Sequence, residues 1–264
     1  MTDPTLPDVP RFDADLSTFA DCLTAYESQG RTLPGAFVTP AGDGPFPGIV
    51  FHHGSAGLMA AARTSIEMLV GSGFAVFAPI RRGHNGSDGP FWETLVTHPW
   101  GSAEMGPQLV EALDSESDDA IAALEWMRAH PRVDSDRIVI AGSSFGGVMV
   151  MLLAGRGAQC RAGISFAGPS ITWPDAPALQ EHLVAAMGRA EFPLFLIQAA
   201  DDFHLTPTYV LAGELARLGK PHEVRVYGPI GVNRGDGHGV FNKVPDLWGP
   251  DVQRFLDRHL AGRA

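Results

Sequence analysis

Residues 137 to 150 read RIVIAGSSFGGVMV. The first five, RIVIA, are a short β-branched run and read as a buried strand. Gly142-Ser143-Ser144-Phe145-Gly146 follows and fits G-x-S-x-G. The apolar run from 148 to 154 then reads as a helix. Strand, tight turn and helix are the context that a nucleophile elbow requires. A side chain two residues before or after Ser144 would crowd the turn, so small residues are needed at 142 and 146, where Gly142 and Gly146 stand. The turn lifts the hydroxyl of Ser144 above the sheet and puts a helix N-terminus behind it.

Working outward, the 264 residues are 45% hydrophobic and 19% charged, which is a globular composition. The net charge of −11 argues against nucleic-acid binding, because a phosphate backbone needs a basic face. Two cysteines, Cys22 and Cys160, suggest neither a disulfide framework nor a metal pair, and point to a reducing cytoplasm. The opening MTDPTLPDVPRFDADL has no basic n-region and no apolar h-region, so it is not read as a signal peptide. No window approaches about 18 uninterrupted apolar residues, so no membrane partner is expected.

Strands are expected at 23–26, 35–39, 48–52, 74–80, 137–141, 162–167, 193–198 and 223–227. Helical patterns fall between most of them, at 58–70, 109–127, 178–187, 206–218 and 252–260. This alternation predicts an α/β fold: a mostly parallel central sheet with helices on both faces. Residues 1–22 read as an N-terminal arm and 23–264 as a single domain. The segment 168–190 interrupts the alternation and is predicted to be a small cap insertion. Five acids of the 109–127 helix, Glu111, Asp114, Glu116, Asp118 and Asp119, read as a solvated outer face. Residues 81–101 form a long loop that either shapes a pocket wall or is anchored to the core by its aromatics.

Ligands of such sheets bind beyond the carboxyl ends of the strands. Ser144, an aspartate at 201 or 202, and His238 all fall at such ends, in the order Ser, Asp, His. A serine hydroxyl is a poor nucleophile without an adjacent base. His238 would take its proton, and Asp202 would hold the imidazole tautomer. Asp202 is favoured because Asp201 lies closer to the strand and can cap the loop. The backbone N–H groups of Ser55, with Gly54 as second choice, and of Phe145 are the expected oxyanion donors. His84, Trp92, Trp100, Trp173, Phe203 and His204 are candidate substrate-binding residues, or else core. The adjacent histidines 52 and 53 point in opposite directions on a strand and have no acidic third ligand nearby, so no metal site is expected.

The pieces FHHGSAG, APIRRGHNGS, VDSDRIVIAGSSFGG, LIQAADDFHLTP and GDGHGVF occur in that order. Together they resemble the dienelactone hydrolase family of the α/β-hydrolase superfamily, across about residues 33–260. Prolyl oligopeptidase-type catalytic domains are similar in pattern. The resemblance implies Ser144, Asp202 and His238 as nucleophile, acid and base, with Ser55 and Phe145 at the oxyanion positions. Dienelactone hydrolases proper carry cysteine where this chain has Ser144, which favours a serine esterase. The oligopeptidases carry a propeller domain that a short N-terminal arm does not supply. The expected function is hydrolysis of a small or medium ester or lactone through an acyl-enzyme, with no cofactor. The alternatives are a peptidase or amidase, and a non-catalytic binding protein on the same scaffold. A homodimer is the default expectation.

Overall fold

Eight segments pair into one sheet in the computed structural model, which describes residues 16–261. They are β1 (Leu23–Ser28), β2 (Arg31–Val38), β3 (Phe46–His52), β4 (Ala75–Pro79), β5 (Val133–Ser143), β6 (Ala162–Phe166), β7 (Leu194–Ala199) and β8 (His222–Tyr227). Their order is β1-β2-β4-β3-β5-β6-β7-β8. The β1–β2 hairpin joins β4 antiparallel, and every pairing from β4 to β8 is parallel. β4, β6 and β7 are buried at every position, which explains why they read as unbroken apolar runs.

The helices are α1 (Ala62–Gly71), α2 (Trp92–Leu95), α3 (Met105–Ala129), α4 (Phe145–Gly155), α5 (Pro177–Arg189), α6 (Thr206–Arg217), α7 (Arg234–His238), α8 (Val240–Lys243) and α9 (Pro245–Leu260). Successive strand residues point to opposite faces. On one face Val50, Ile140 and Leu196 pack with Leu113, Leu124, Val148, Leu183 and Leu211 of α3 to α6. On the other, Ile49, Val139 and Ile197 pack with Ile66, Phe241, Trp248 and Phe255 of α1, α8 and α9. None of the described helices is long and apolar enough to cross a membrane.

Several local expectations change, among them the closing helix, since α9 begins at Pro245 rather than 252. α1 begins at Ala62 rather than 58, because residues 58–61 are a turn pinned by Asn85: Leu58 N–H donates to its Oδ1 at 2.8 Å. α3 starts four residues early, at Met105, which is fully buried. Within the long 81–101 loop, α2 forms over Trp92–Leu95. The segment 168–190, expected as a cap, carries α5 into the helical layer, where Leu179, Leu183 and Met187 join the α3–α4 core. It is the β6–β7 crossover, and the turn ahead of α5 is what reaches the end of the sheet.

Of the expected arm, residues 16–22 are described. Phe19 is fully buried, and Arg63 of α1 donates to Thr18 O and pairs with Asp21 at 2.7 Å. Phe12, the other phenylalanine of the arm, lies outside the described residues.

Register sets the site. His52 lies opposite Gly142, and Ser143 opposite Phe166, which pairs with Ile197. The loops after β3, β5, β6 and β7 therefore leave the sheet side by side.

Candidate active site

Ser144 stands between β5 and α4 with φ 56° and ψ −121°. L-residues rarely adopt such angles, and the cost is of order 1–3 kcal/mol. The surroundings impose them. A Cβ on Gly142 would overlap Gly146 O, and one on Gly146 would overlap His52 O, so both glycines are required by close approach. Ser144 N–H donates to Phe166 O at 2.9 Å, tying the elbow to β6.

His238 ends α7, a one-turn helix with a capping box between Asn233 and Asp236. Its Nε2 lies 2.9 Å from Ser144 Oγ, and its Nδ1 lies 3.0 Å from Asp202 Oδ1. A carboxylate at Nδ1 requires the proton there, which leaves Nε2 to accept from the serine. The structure also separates the two aspartates. Asp201 accepts Ile230 N–H and Gly231 N–H at 3.1 and 3.0 Å, which fixes the loop leading to α7.

Asp202 is buried and well supplied with donors. Ser170 Oγ and Phe203 N–H each donate to Oδ1 at 2.6 Å, and Gln198 Nε2 donates to Oδ2 at 2.7 Å. Burial raises its carboxyl pKa, but the hydrogen bonds from His238, Ser170 and Gln198 outweigh burial and hold it below the usual aspartate value. Gln198 is itself fixed, accepting from Thr208 Oγ1 at 2.7 Å. Sequence reading missed Ser170, Gln198 and Thr208. A glutamine at the end of an apolar strand, four residues before a candidate acid, was the one available signal.

The loop after β3 passes over the serine: a Cβ on Gly54 would lie 3.3 Å from Ser144 Cβ and 3.8 Å from its Oγ. The first intrahelical bond of α4 runs from Val148 N–H to Ser144 O. Phe145 N–H precedes it and has no intrahelical acceptor. The Ser144 hydroxyl thus has the backbone of the loop after β3 and the start of α4 beside it.

The other predicted site residues divide. Phe203 meets the His238 ring edge-on at 5.7 Å, so it borders the site. Trp100 Nε1 donates to Asp175 Oδ2 at 2.9 Å, joining the loop to the turn before α5. Trp173 is buried in that turn. His204 takes part through its carbonyl, which accepts from Gln198 at 2.8 Å. His84 and Trp92, read as substrate-binding or else core, are 1% and 4% exposed, and their ring nitrogens point inward to the carbonyl of Ser55. They support the site from behind.

Two of the five acids read as a solvated face are also buried. Glu116 pairs with Arg81 and Asp119 with Arg82, both at 2.7 Å. Among the described residues no group of three His, Cys, Asp or Glu side chains is placed to hold a metal ion.

Fold and site define an α/β hydrolase. Residues 33–246 match the family described as "Dienelactone hydrolase family". The chain belongs to that family. It is 26% identical to a Bacillus subtilis (strain 168) protein named "Uncharacterized peptidase YtmA", over 76% of this chain and 82% of that one. Among solved structures it is similar in fold to the Pyrococcus horikoshii acylaminoacyl peptidase, with 20% identity and a TM-score of 0.68. That match covers 90% of this chain and 41% of the peptidase, so the chain spans about two fifths of that protein's length. The Pyrococcus furiosus esterase Pf2001 is similar over 90% of this chain and 91% of its own, with 18% identity and a TM-score of 0.67.

Proposed function

We propose that this chain is a serine hydrolase that cleaves a small or medium carboxylic ester or lactone through an acyl-enzyme. The observation that carries the reading is the unbroken line from Ser144 Oγ to His238 Nε2 at 2.9 Å and from His238 Nδ1 to Asp202 Oδ1 at 3.0 Å.

Ser144 Oγ attacks the acyl carbon while His238 Nε2 takes its proton. The resulting imidazolium is stabilised by the Asp202 carboxylate. The oxyanion lies against the N–H groups of Ser55 and Phe145, each such donor being worth about 3 kcal/mol. His238 then returns the proton to the alkoxy oxygen as its bond to the acyl carbon breaks. Water repeats the sequence and frees the acid. A lactone differs in that its alcohol stays attached to the acyl group throughout and leaves with it as a hydroxy acid. All proton and charge movements are met by these residues, so the chemistry requires no cofactor.

An amide needs the same groups and a poorer leaving group. The name of the Bacillus subtilis relative favours keeping this second reading. Wild type and Ser144→Ala are to be assayed on p-nitrophenyl esters of rising acyl length beside an amino-acyl p-nitroanilide. Ester turnover that exceeds anilide turnover and vanishes in Ser144→Ala supports the esterase. The reverse ratio moves the assignment to a peptidase. No turnover of either by folded protein refutes both and leaves the binding-protein reading.

A further inference from the structure

Three consecutive carbonyls of the loop beside Ser144 are gripped from one side by one stretch of chain. Arg81 donates to His53 O at 2.9 Å and to Gly54 O at 3.3 Å. His84 Nε2 lies 3.1 Å from Ser55 O, and Trp92 Nε1 donates to the same oxygen at 3.2 Å. Arg81 N–H also donates to His53 Nε2 at 3.2 Å, so the His53 proton is on Nδ1, 2.8 Å from Gly54 O. A carbonyl held on one side fixes the plane of its peptide unit, and with it the direction of the next N–H. The stretch from Arg81 to Trp92 is itself rigid. Arg81 and Glu116 form a fully enclosed pair, and the His84 ring packs on those of His53 and Phe91 at 4.7 and 5.0 Å.

Trp92 does more than the others. Its ring meets the Phe145 ring edge-on at 4.9 Å while its Nε1 holds Ser55 O. One side chain therefore touches both residues whose N–H groups the proposed function uses. Resting on that function, we propose that Trp92, seconded by His84, is a positioning residue of the oxyanion hole, setting the spacing of the two backbone segments that carry its donors. Trp92 touches no reacting atom. It acts by holding two backbone segments that leave the ends of the neighbouring strands β3 and β5.

The experiment is steady-state ester hydrolysis by Trp92→Phe, which keeps a ring against Phe145 and removes the donor to Ser55 O. Hydrogen bonds to a developing oxyanion strengthen in the transition state, so misplaced donors lower kcat and spare KM. The expected result is a fall in kcat of about tenfold or more, below the roughly hundredfold or greater loss of an absent donor. KM stays within about twofold. Affinity for a substrate-like trifluoromethyl ketone, which presents an oxyanion when Ser144 adds to it, falls by the same factor as kcat/KM. The acidic limb of the pH–rate profile is unmoved. His84→Asn, which removes the ring nitrogen 3.1 Å from Ser55 O, behaves alike and serves if Trp92→Phe does not fold. Variants that lose thermal stability but keep wild-type kcat and ketone affinity overturn the positioning role alone. A wild type inert towards esters and amides overturns both this role and the function on which it rests.

Discussion

Ser144 occupies a backbone conformation that costs free energy, and the residues around it show what holds it there. The turn admits no side chain at 142 or 146, because backbone oxygens fill both places. Gly146→Ala should therefore cost roughly 3 kcal/mol, the upper range for overpacking. For a domain of this size that lowers Tm by about 6–12 °C in a calorimetric scan. A change under 2 °C would show that the elbow can relax. Asp202→Asn keeps the shape but removes the charge that fixes the His238 tautomer. The expected outcome is a kcat loss of about 10⁴-fold in folded protein. A loss below tenfold would place the acid elsewhere. At this scale Ser144 and His238 were legible in sequence because glycines flank them on strand-end loops. Ser170 and Gln198 were not, since their role depends on which loops meet across the sheet. Trp92 and His84 were singled out, but an aromatic beside a site reads the same whether it faces a ligand or braces the backbone.

At the scale of elements, α3 shows how far a helix pattern can mislead. Its charged residues suggested a wet surface, yet Glu116 and Asp119 are 2% and 0% exposed. Their partners Arg81 and Arg82 follow the fully buried β4 and lie 35 and 37 residues away in sequence. Periodicity registers no such pairing. Asp119 also accepts from Ser28 Oγ at 2.6 Å, so it links α3, β1 and the segment after β4. Removing it leaves Arg82 buried without its charge partner. Asp119→Ala should then destabilise the fold by about 3–5 kcal/mol, measured by urea denaturation. A cost under 1 kcal/mol would mean that Arg82 finds water on its own. Six of the eight strands, by contrast, were legible to within two residues at each end, while β2 and β5 each begin four residues before the expected start. Parallel strands covered on both faces are unbroken apolar runs, and glycine or proline punctuates most of their ends. The segment 168–190 was placed wrongly because a Pro-rich turn before a short helix looks like an insertion when it is a crossover.

For the whole molecule, buried ionisable groups make stability depend on pH in two windows. Burial lowers the pKa of His52 to about 3, and also depresses those of His53 and His84. Below pH 6.5 the unfolded chain binds protons that these folded histidines refuse, so stability falls as pH falls, for His52 by about 1.4 kcal/mol per unit. Among the described residues neither ring nitrogen of His52 has a hydrogen-bond partner. His52→Leu should therefore flatten the stability profile between pH 6.5 and 5 in denaturation experiments, and an unchanged slope would contradict this. The second window opens lower. Burial raises the pKa values of Asp119 and Asp202, but Arg82 and Ser28 on one, and His238, Ser170 and Gln198 on the other, more than reverse it. Their folded pKa values lie below 3.8, so their stabilisation is complete above that value and is lost as pH falls beneath it.

The central claim is that Ser144 is the nucleophile and His238 its base. The most direct measurement is intact-mass analysis with peptide mapping after exposure to a fluorophosphonate, which phosphonylates an activated serine with loss of fluoride. The account predicts one adduct, on Ser144, formed by wild type, absent from Ser144→Ala and slowed by orders of magnitude in His238→Ala. A folded wild type that takes no label, or takes it at another residue, would contradict it.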